Sequence, residues 1–323
     1  MVSDRQFDPL IEHVIQTGKR AGAHALSTEI YYRHQSVLHF CEGKEAVQTV
    51  EPLSEHSRFN VYSVRKSMIG YAIAALMESA MIESVDVPIV ALFDHPHPEK
   101  LKAITLRHLL THTHGLDGDP MNPRKRFVPG TRWHYTNTGI VLLNRIFETV
   151  KKESIASFIK EKVWIPRGMN DTSFCTQEEP HLVHDVSHFH RELPLLLGSS
   201  LGDERNLYMS THDLAIWGNY HLQDNPIAHR AMTMLTPQTL DRRYPRHAYG
   251  WWYKEGHSRL CEIGDLVPDG SVQIMGMSGC LVLVIPSWQV VAVRMMNSLG
   301  GRFSFVRDAK RFGDLVMTCL MRG

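Results

Sequence analysis

Ser63 and Lys66 stand three positions apart in the stretch Phe59-Asn60-Val61-Tyr62-Ser63-Val64-Arg65-Lys66-Ser67. A serine hydroxyl is a poor nucleophile until a neighbouring base takes its proton. A lysine amine serves as that base only when burial or a nearby charge lowers its pKa. The stretch leads into a helix-period run, Met68 to Ala80, whose Met68, Ile69, Ala72, Ile73, Leu76 and Ala80 fall on one side. Ser63 is therefore expected at a helix start, with Lys66 one turn later on the same face and the positive helix end favouring developing negative charge. Taken alone, the pattern is also that of a capping serine beside a solvated lysine.

Two further segments carry groups of matching chemistry. Pro129 to Gly139 reads as a turn, a short extended segment and a helix entry, so Tyr135 and Asn137, two apart, point the same way. A tyrosine beside a lysine ammonium is expected to have a lowered phenol pKa and to carry protons, and a carboxamide can both donate to a substrate and hold the lysine. A buried tyrosine followed by a capping asparagine fits the same residues. Gly276-Met277-Ser278-Gly279-Cys280 precedes a strand, and its glycines allow a substrate backbone to approach closely. A free N–H there could join that of Ser63 in an oxyanion hole; a glycine bulge is the plainer alternative.

In order and separation the three segments resemble the serine β-lactamase and penicillin-binding-protein family, and most closely its class C-like branch of esterases and peptidases. The segments Ile104–Leu116, Phe127–Gly139 and Pro166–Thr172 look like that family's framework too, so the likeness runs from about the first strand to the last helix. It implies Ser63 as the acylated nucleophile, Lys66 as its proton acceptor and Tyr135 as shared base and leaving-group acid. Asn137 would contact a substrate amide, and the N–H groups of Ser63 and Cys280, on the Met277-Ser278-Gly279 segment, would form the oxyanion hole. The implied substrates are small esters or amides, with no cofactor.

The chain departs from the family at Met277, where a lysine or histidine usually stands. A thioether cannot hold a substrate carboxylate, and one lost charge-assisted hydrogen bond costs roughly 1.5–3 kcal/mol, about one to two decades in rate. Weak or absent β-lactamase activity is therefore expected, with Arg294 or an arginine of the helical region as a candidate substitute cation. His114, where the family more often has a small residue, is expected to narrow the cleft.

The surrounding elements must bring these segments together. Phe7, Leu10, Ile11, Val14 and Ile15 mark an opening amphipathic helix, and Leu26–Tyr32 and Ser36–Cys41 two strands joined at Arg33-His34-Gln35. Helix patterns and long connections fill residues 83–200, including helices around Leu143–Val150 and Ile155–Val163. Ser210-Thr211-His212-Asp213 has capping-box form. Strand signals return at Gly250–Tyr253, Cys280–Ile285 and Val290–Met296, with a turn at Pro286–Gln289, and Phe305, Ala309, Phe312, Val316 and Cys319 give a closing helix. The expectation is an α/β (α+β) fold: an antiparallel sheet domain from residues 1–82 plus 201–323, flanked by helices, with an all-helical domain, 83–200, inserted.

Composition narrows the function classes. The 323 residues are 43% hydrophobic, with 35 basic and 34 acidic side chains and a net charge of +1, so no nucleic-acid footprint is visible. Five scattered cysteines without Cys-x-x-Cys spacing argue against a disulfide framework. With no apolar leader and no span-length apolar run, a soluble cytoplasmic protein without membrane partners is expected. His181, His184, His188 and His190 crowd one segment, yet no recognised zinc pattern follows, and a solvated loop is preferred to a metal site. The competing functional class is a binding or scaffold protein that has lost catalysis, with Met277 as its support. Four mutually dependent groups, Ser63, Lys66, Tyr135 and Asn137, argue for the enzyme.

Overall fold

The computed structural model describes residues 5–48, 51–186, 194–235, 240–241, 243–256, 261–300 and 304–322. In chain order its elements are α1 (Asp8–Ala21), β1 (Ala25–Tyr32), β2 (Gln35–Gly43), β3 (Phe59–Asn60), α2 (Arg65–Glu78), α3 (Pro98–Leu101), α4 (Leu106–Leu110), β4 (Leu116–Asp117) and β5 (Arg124–Lys125). There follow α5 (Thr138–Lys151), α6 (Ile155–Ile159), α7 (Ile165–Arg167), β6 (Thr172–Phe174), β7 (Leu207–Met209), α8 (Thr211–Tyr220) and α9 (Pro226–Ala231). The chain closes with β8 (His247–Ala248), β9 (Trp251–Tyr253), β10 (Val272–Met275), β11 (Leu281–Ile285), β12 (Val290–Met296) and α10 (Phe305–Arg322).

The main sheet is antiparallel in the order β2-β1-β12-β11-β10-β9-β8, so strands from the two ends of the chain meet at its centre. There Leu26 lies opposite Met296 and Tyr32 opposite Val290. The expected hairpin turn is tight: Arg33 and His34 both have positive φ, 51° and 66°. That backbone twist matches two paired strands.

Strands β11 and β12 read as unbroken apolar runs because both of their faces are covered. Val282, Val284, Val291 and Val293 face a core that includes α2 and α8, through Ala72, Leu214 and Trp217. Leu281, Leu283, Val290 and Ala292 face a second core made with α1 and α10, through Leu10, Val14, Phe312 and Val316. The first and last helices thus pack on each other and on one face of the sheet.

Helix α2 differs from its sequence pattern. All residues from Arg65 to Leu76 are buried, where one apolar side was expected. The reason is its packing against α5, α6 and α9 and its share in one core with Trp217 of α8 and Val282 and Val291 of the sheet. Its backbone also meets the β8–β9 turn directly. A side chain on Gly70 would lie 2.0 Å from the Tyr249 carbonyl oxygen, and one on Gly250, at φ +88°, 2.5 Å from the Lys66 carbonyl. Only glycines permit that approach, which fixes the height of Lys66 against the sheet. Between residues 83 and 200, helices α3–α7 are joined by the short strands β4, β5 and β6. Of these, β6 pairs with β7, which in turn pairs with β3. Among the described residues no helix is long and apolar enough to cross a membrane, and all five cysteines are free.

Candidate active site

Ser63 lies in a single 3-10 turn, Tyr62–Val64, wedged between β3 and α2. Tyr62 sits at a positive φ of 45°, a conformation costly for a bulky residue. Two anchors hold it there. Its N–H donates to Asn60 Oδ1 at 2.9 Å and its hydroxyl to Asp185 Oδ2 at 2.5 Å. Just past Lys66, Ser67 Oγ donates to the Val64 carbonyl and accepts from Trp217 Nε1 of α8 at 3.0 Å. The serine-bearing turn is therefore gripped on both sides.

Lys66 is buried, 3% exposed. Its Nζ stands 3.0 Å from Ser63 Oγ and donates to Tyr135 Oη at 2.6 Å. Burial, reinforced by the charges of Arg65 and Arg205, pushes the Lys66 amine down to about 7. Tyr135 moves the other way: burial pushes its phenol up to about 12, against the opposing hydrogen bond of Ser63 and the charge of Arg65. The lowered phenol expected from a neighbouring ammonium is thus corrected. Desolvation dominates, so the site near neutral pH holds a partly deprotonated amine beside a protonated phenol.

Behind Tyr135 stand two histidines that the motifs did not reveal. The His112 ring is 4.5 Å from that of Tyr135 and 4.7 Å from that of His247. Both imidazoles are fully buried and held neutral, His112 well below its ordinary value and His247 at about 3, chiefly by burial. They back the phenol without adding charge.

Asn137 begins α5 but does not cap it with its side chain, and it is exposed. It lines the cleft without being a partner of Lys66, whose hydrogen bonds run to Ser63 and Tyr135. Residues Gly276–Gly279 form a turn between β10 and β11, closed by Gly279 N–H to the Gly276 carbonyl at 3.0 Å. This turn packs on the segment before the serine: Ser278 Oγ donates to the Asn60 carbonyl at 3.0 Å, and Cys280 Sγ reaches the same oxygen at 3.6 Å. Met277 borders the cleft.

Two expectations about neighbouring residues change. Arg294 cannot supply the missing cation, because it is fully buried beneath the turn. It pairs there with Asp308 and donates to the Gly279 carbonyl from Nε and Nη2, at 3.3 Å each. His114 does not line the cleft. It packs under the start of α5, where a side chain on Gly139 would lie 2.6 Å from its Nε2. The Arg294–Asp308 pair carries a stability prediction. Asp308→Ala leaves a buried guanidinium unpaired and should lower unfolding free energy by about 3–5 kcal/mol in chemical denaturation. Burial raises the Asp308 pKa, but Arg294 and the hydrogen bonds from His13, Thr17 and Arg294 together hold it well below the usual range. The pair's stabilisation is accordingly lost at strongly acid pH.

The cleft itself, about 410 Å³, is bordered by Ser63, Lys66, Tyr135, Asn137, Met277 and Arg205. Arg205, exposed, is a cation bordering it, and it lies just outside the 83–200 region in which a substitute arginine was expected. It stands there because β7 runs antiparallel to β3, with Asn60 Nδ2 donating to the Arg205 carbonyl at 2.9 Å. Of the clustered histidines, His181 pairs with Glu45 at 3.0 Å, and His188 and His190 lie outside the described residues. Among the described residues no group of three metal-ligating side chains is gathered.

Comparison with known proteins bears on the whole chain. The sequence profile of the Beta-lactamase family matches residues 7–315. An uncharacterized protein of Alkalihalophilus pseudofirmus is 31% identical over 329 residues, covering 98% of this chain and 97% of its own length. Among solved structures, a beta-lactamase/D-alanine carboxypeptidase from Yersinia pestis superposes with a TM-score of 0.77 at 16% identity, over 98% of both chains. EstCE1, a hydrolase with promiscuous acyltransferase activity, gives 0.77 at 16% identity, over 98% of this chain and 100% of that one. At such identities these two likenesses establish the fold alone.

Proposed function

Because the chain belongs to the beta-lactamase family of serine hydrolases, we propose that it cleaves small esters or amides through an acyl-enzyme on Ser63, with weak or no action on penicillins. One observation carries this reading: a buried lysine with its pKa pushed down to about 7 lies within hydrogen-bond reach of both a serine and a tyrosine.

The neutral Lys66 amine takes the Ser63 proton as Oγ attacks the substrate carbonyl. The oxyanion is met by the N–H groups of Ser63 and Cys280; among the described residues the Cys280 N–H has no backbone acceptor. The leaving group departs with the proton of Tyr135, and the Lys66 ammonium, 2.6 Å away, reprotonates the phenolate. A water then attacks the acyl carbonyl and gives its proton to Lys66. The intermediate expels Ser63 Oγ, which recovers that proton, and the acid leaves. Asn137, exposed in the cleft, donates to the substrate.

The direct test is hydrolysis of short-chain nitrophenyl esters, present in the native protein and lost in Ser63→Ala. Met277 favours a second reading, a binding protein without turnover; a folded protein inert towards esters and amides alike would support it. Met277 also yields a prediction. Met277→Lys restores one charge-assisted hydrogen bond and should raise the rate of acylation by penicillins about 10–100-fold, measured by stopped-flow.

A further inference from the structure

Arg65 has no ligand role in the chemistry above, yet it is an uncommon feature. It is 3% exposed, and its Nε and Nη1 are buried without a hydrogen-bond partner. Among the described residues no carboxylate forms an ion pair with it. Burial and the nearby Arg205 lower its pKa only to about 10, so the guanidinium stays charged. A buried charge with idle donors is costly unless something occupies them.

What faces Arg65 is a second cleft, of about 350 Å³, bordered also by Leu196, Asp203, Glu204, Arg205 and Asn137. Asn137 and Arg205 belong equally to the cleft of Ser63. A molecule bound at the serine can therefore extend past Asn137 into this second space. We propose that the second cleft receives a carboxylate on the far end of the substrate, held by Arg65 and Arg205. Guanidinium donors are arranged in a planar fork that matches a carboxylate. Asp203 and Glu204 border the same cleft and counter the two arginines through space, and Asp203 Oδ1 is likewise buried without a hydrogen-bond partner. Glu204 accepts from the Ser199 N–H at 2.9 Å, and among the described residues no carboxylate of the cleft hydrogen-bonds Arg65. The subsite lies away from Met277, on the α5 side of Asn137, and rests on the hydrolase reading for its catalytic consequence.

Two matched substrate pairs test it: mono-nitrophenyl adipate against its methyl-capped diester, and acetoxybenzoate against its methyl ester. They place the carboxylate on the acyl and leaving-group sides respectively. In one pair the anionic member should have a kcat/KM about 10–100-fold higher than its neutral partner. Arg65→Gln should bring that ratio near one, mainly through KM. A role limited to tuning Lys66 would change both members equally and leave the ratio intact, overturning the proposal, as would ratios near one in both pairs. Should Arg65→Gln fail to fold, thermal shifts of Ser63→Ala protein with adipate decide. A concentration-dependent rise that Arg205→Gln diminishes supports the subsite, and no rise overturns it. That measurement needs no turnover, so it separates failure of the subsite from failure of the hydrolase proposal.

Discussion

On the proposed mechanism, Lys66→Met should lower ester hydrolysis by about 10²–10⁴-fold and leave the fold intact. Methionine keeps most of the buried volume of the lysine, so circular dichroism and thermal melting should be close to native. The loss should fall on kcat, because the proposed role of the amine is proton transfer and not substrate binding. The same group sets the pH profile. If the proposed base is the neutral amine, kcat/KM of the native protein should rise with pH through about 7, where Lys66 loses its proton. Burial is the largest cause of that low value, followed by the charges of Arg65 and Arg205. Arg205→Gln removes a repelling cation and should move the midpoint upward. A Lys66→Met enzyme within a few-fold of native would place the base elsewhere.

Tyr135→Phe separates proton delivery from packing. The phenyl ring retains the contact with His112, 4.5 Å between ring centres, so stability should change little. What disappears is the hydroxyl that accepts from Lys66 at 2.6 Å. An amide nitrogen cannot leave unprotonated, whereas a nitrophenolate can. The expected loss is therefore about 10²–10⁴-fold on amides and distinctly smaller on nitrophenyl esters. Equal losses on both would mean that Tyr135 acts before leaving-group departure. No loss on either would remove it from catalysis.

Much of this site is legible in the linear chain because its spacing reports local geometry. Ser63 and Lys66 are separated by one turn, and the apolar runs of β11 and β12 announce strands. Where the sequence falls short, the deciding quantity is three-dimensional. The stripe Met68–Ala80 describes one side of α2, but helices α5, α6 and α9 bury the others. Arg294 and Arg205 are equally plain arginines in sequence. One is buried against Asp308 beneath a turn, and the other opens onto the cleft because of how β7 pairs with β3. The direction of the Tyr135 shift depends on burial outweighing nearby charge, which spacing cannot weigh. His112 and His247 are 135 positions apart and carry no pattern that would join them behind the phenol.

The reactivity of Ser63 is tested most directly by intact-mass measurement after exposure to a fluorophosphonate, followed by peptide mapping. The expected result is a single phosphonate adduct on Ser63, absent in Ser63→Ala and strongly slowed in Lys66→Met, with little or no adduct from a penicillin. A folded native protein that takes up no phosphonate, or takes it up at another residue, would contradict Ser63 as the activated nucleophile.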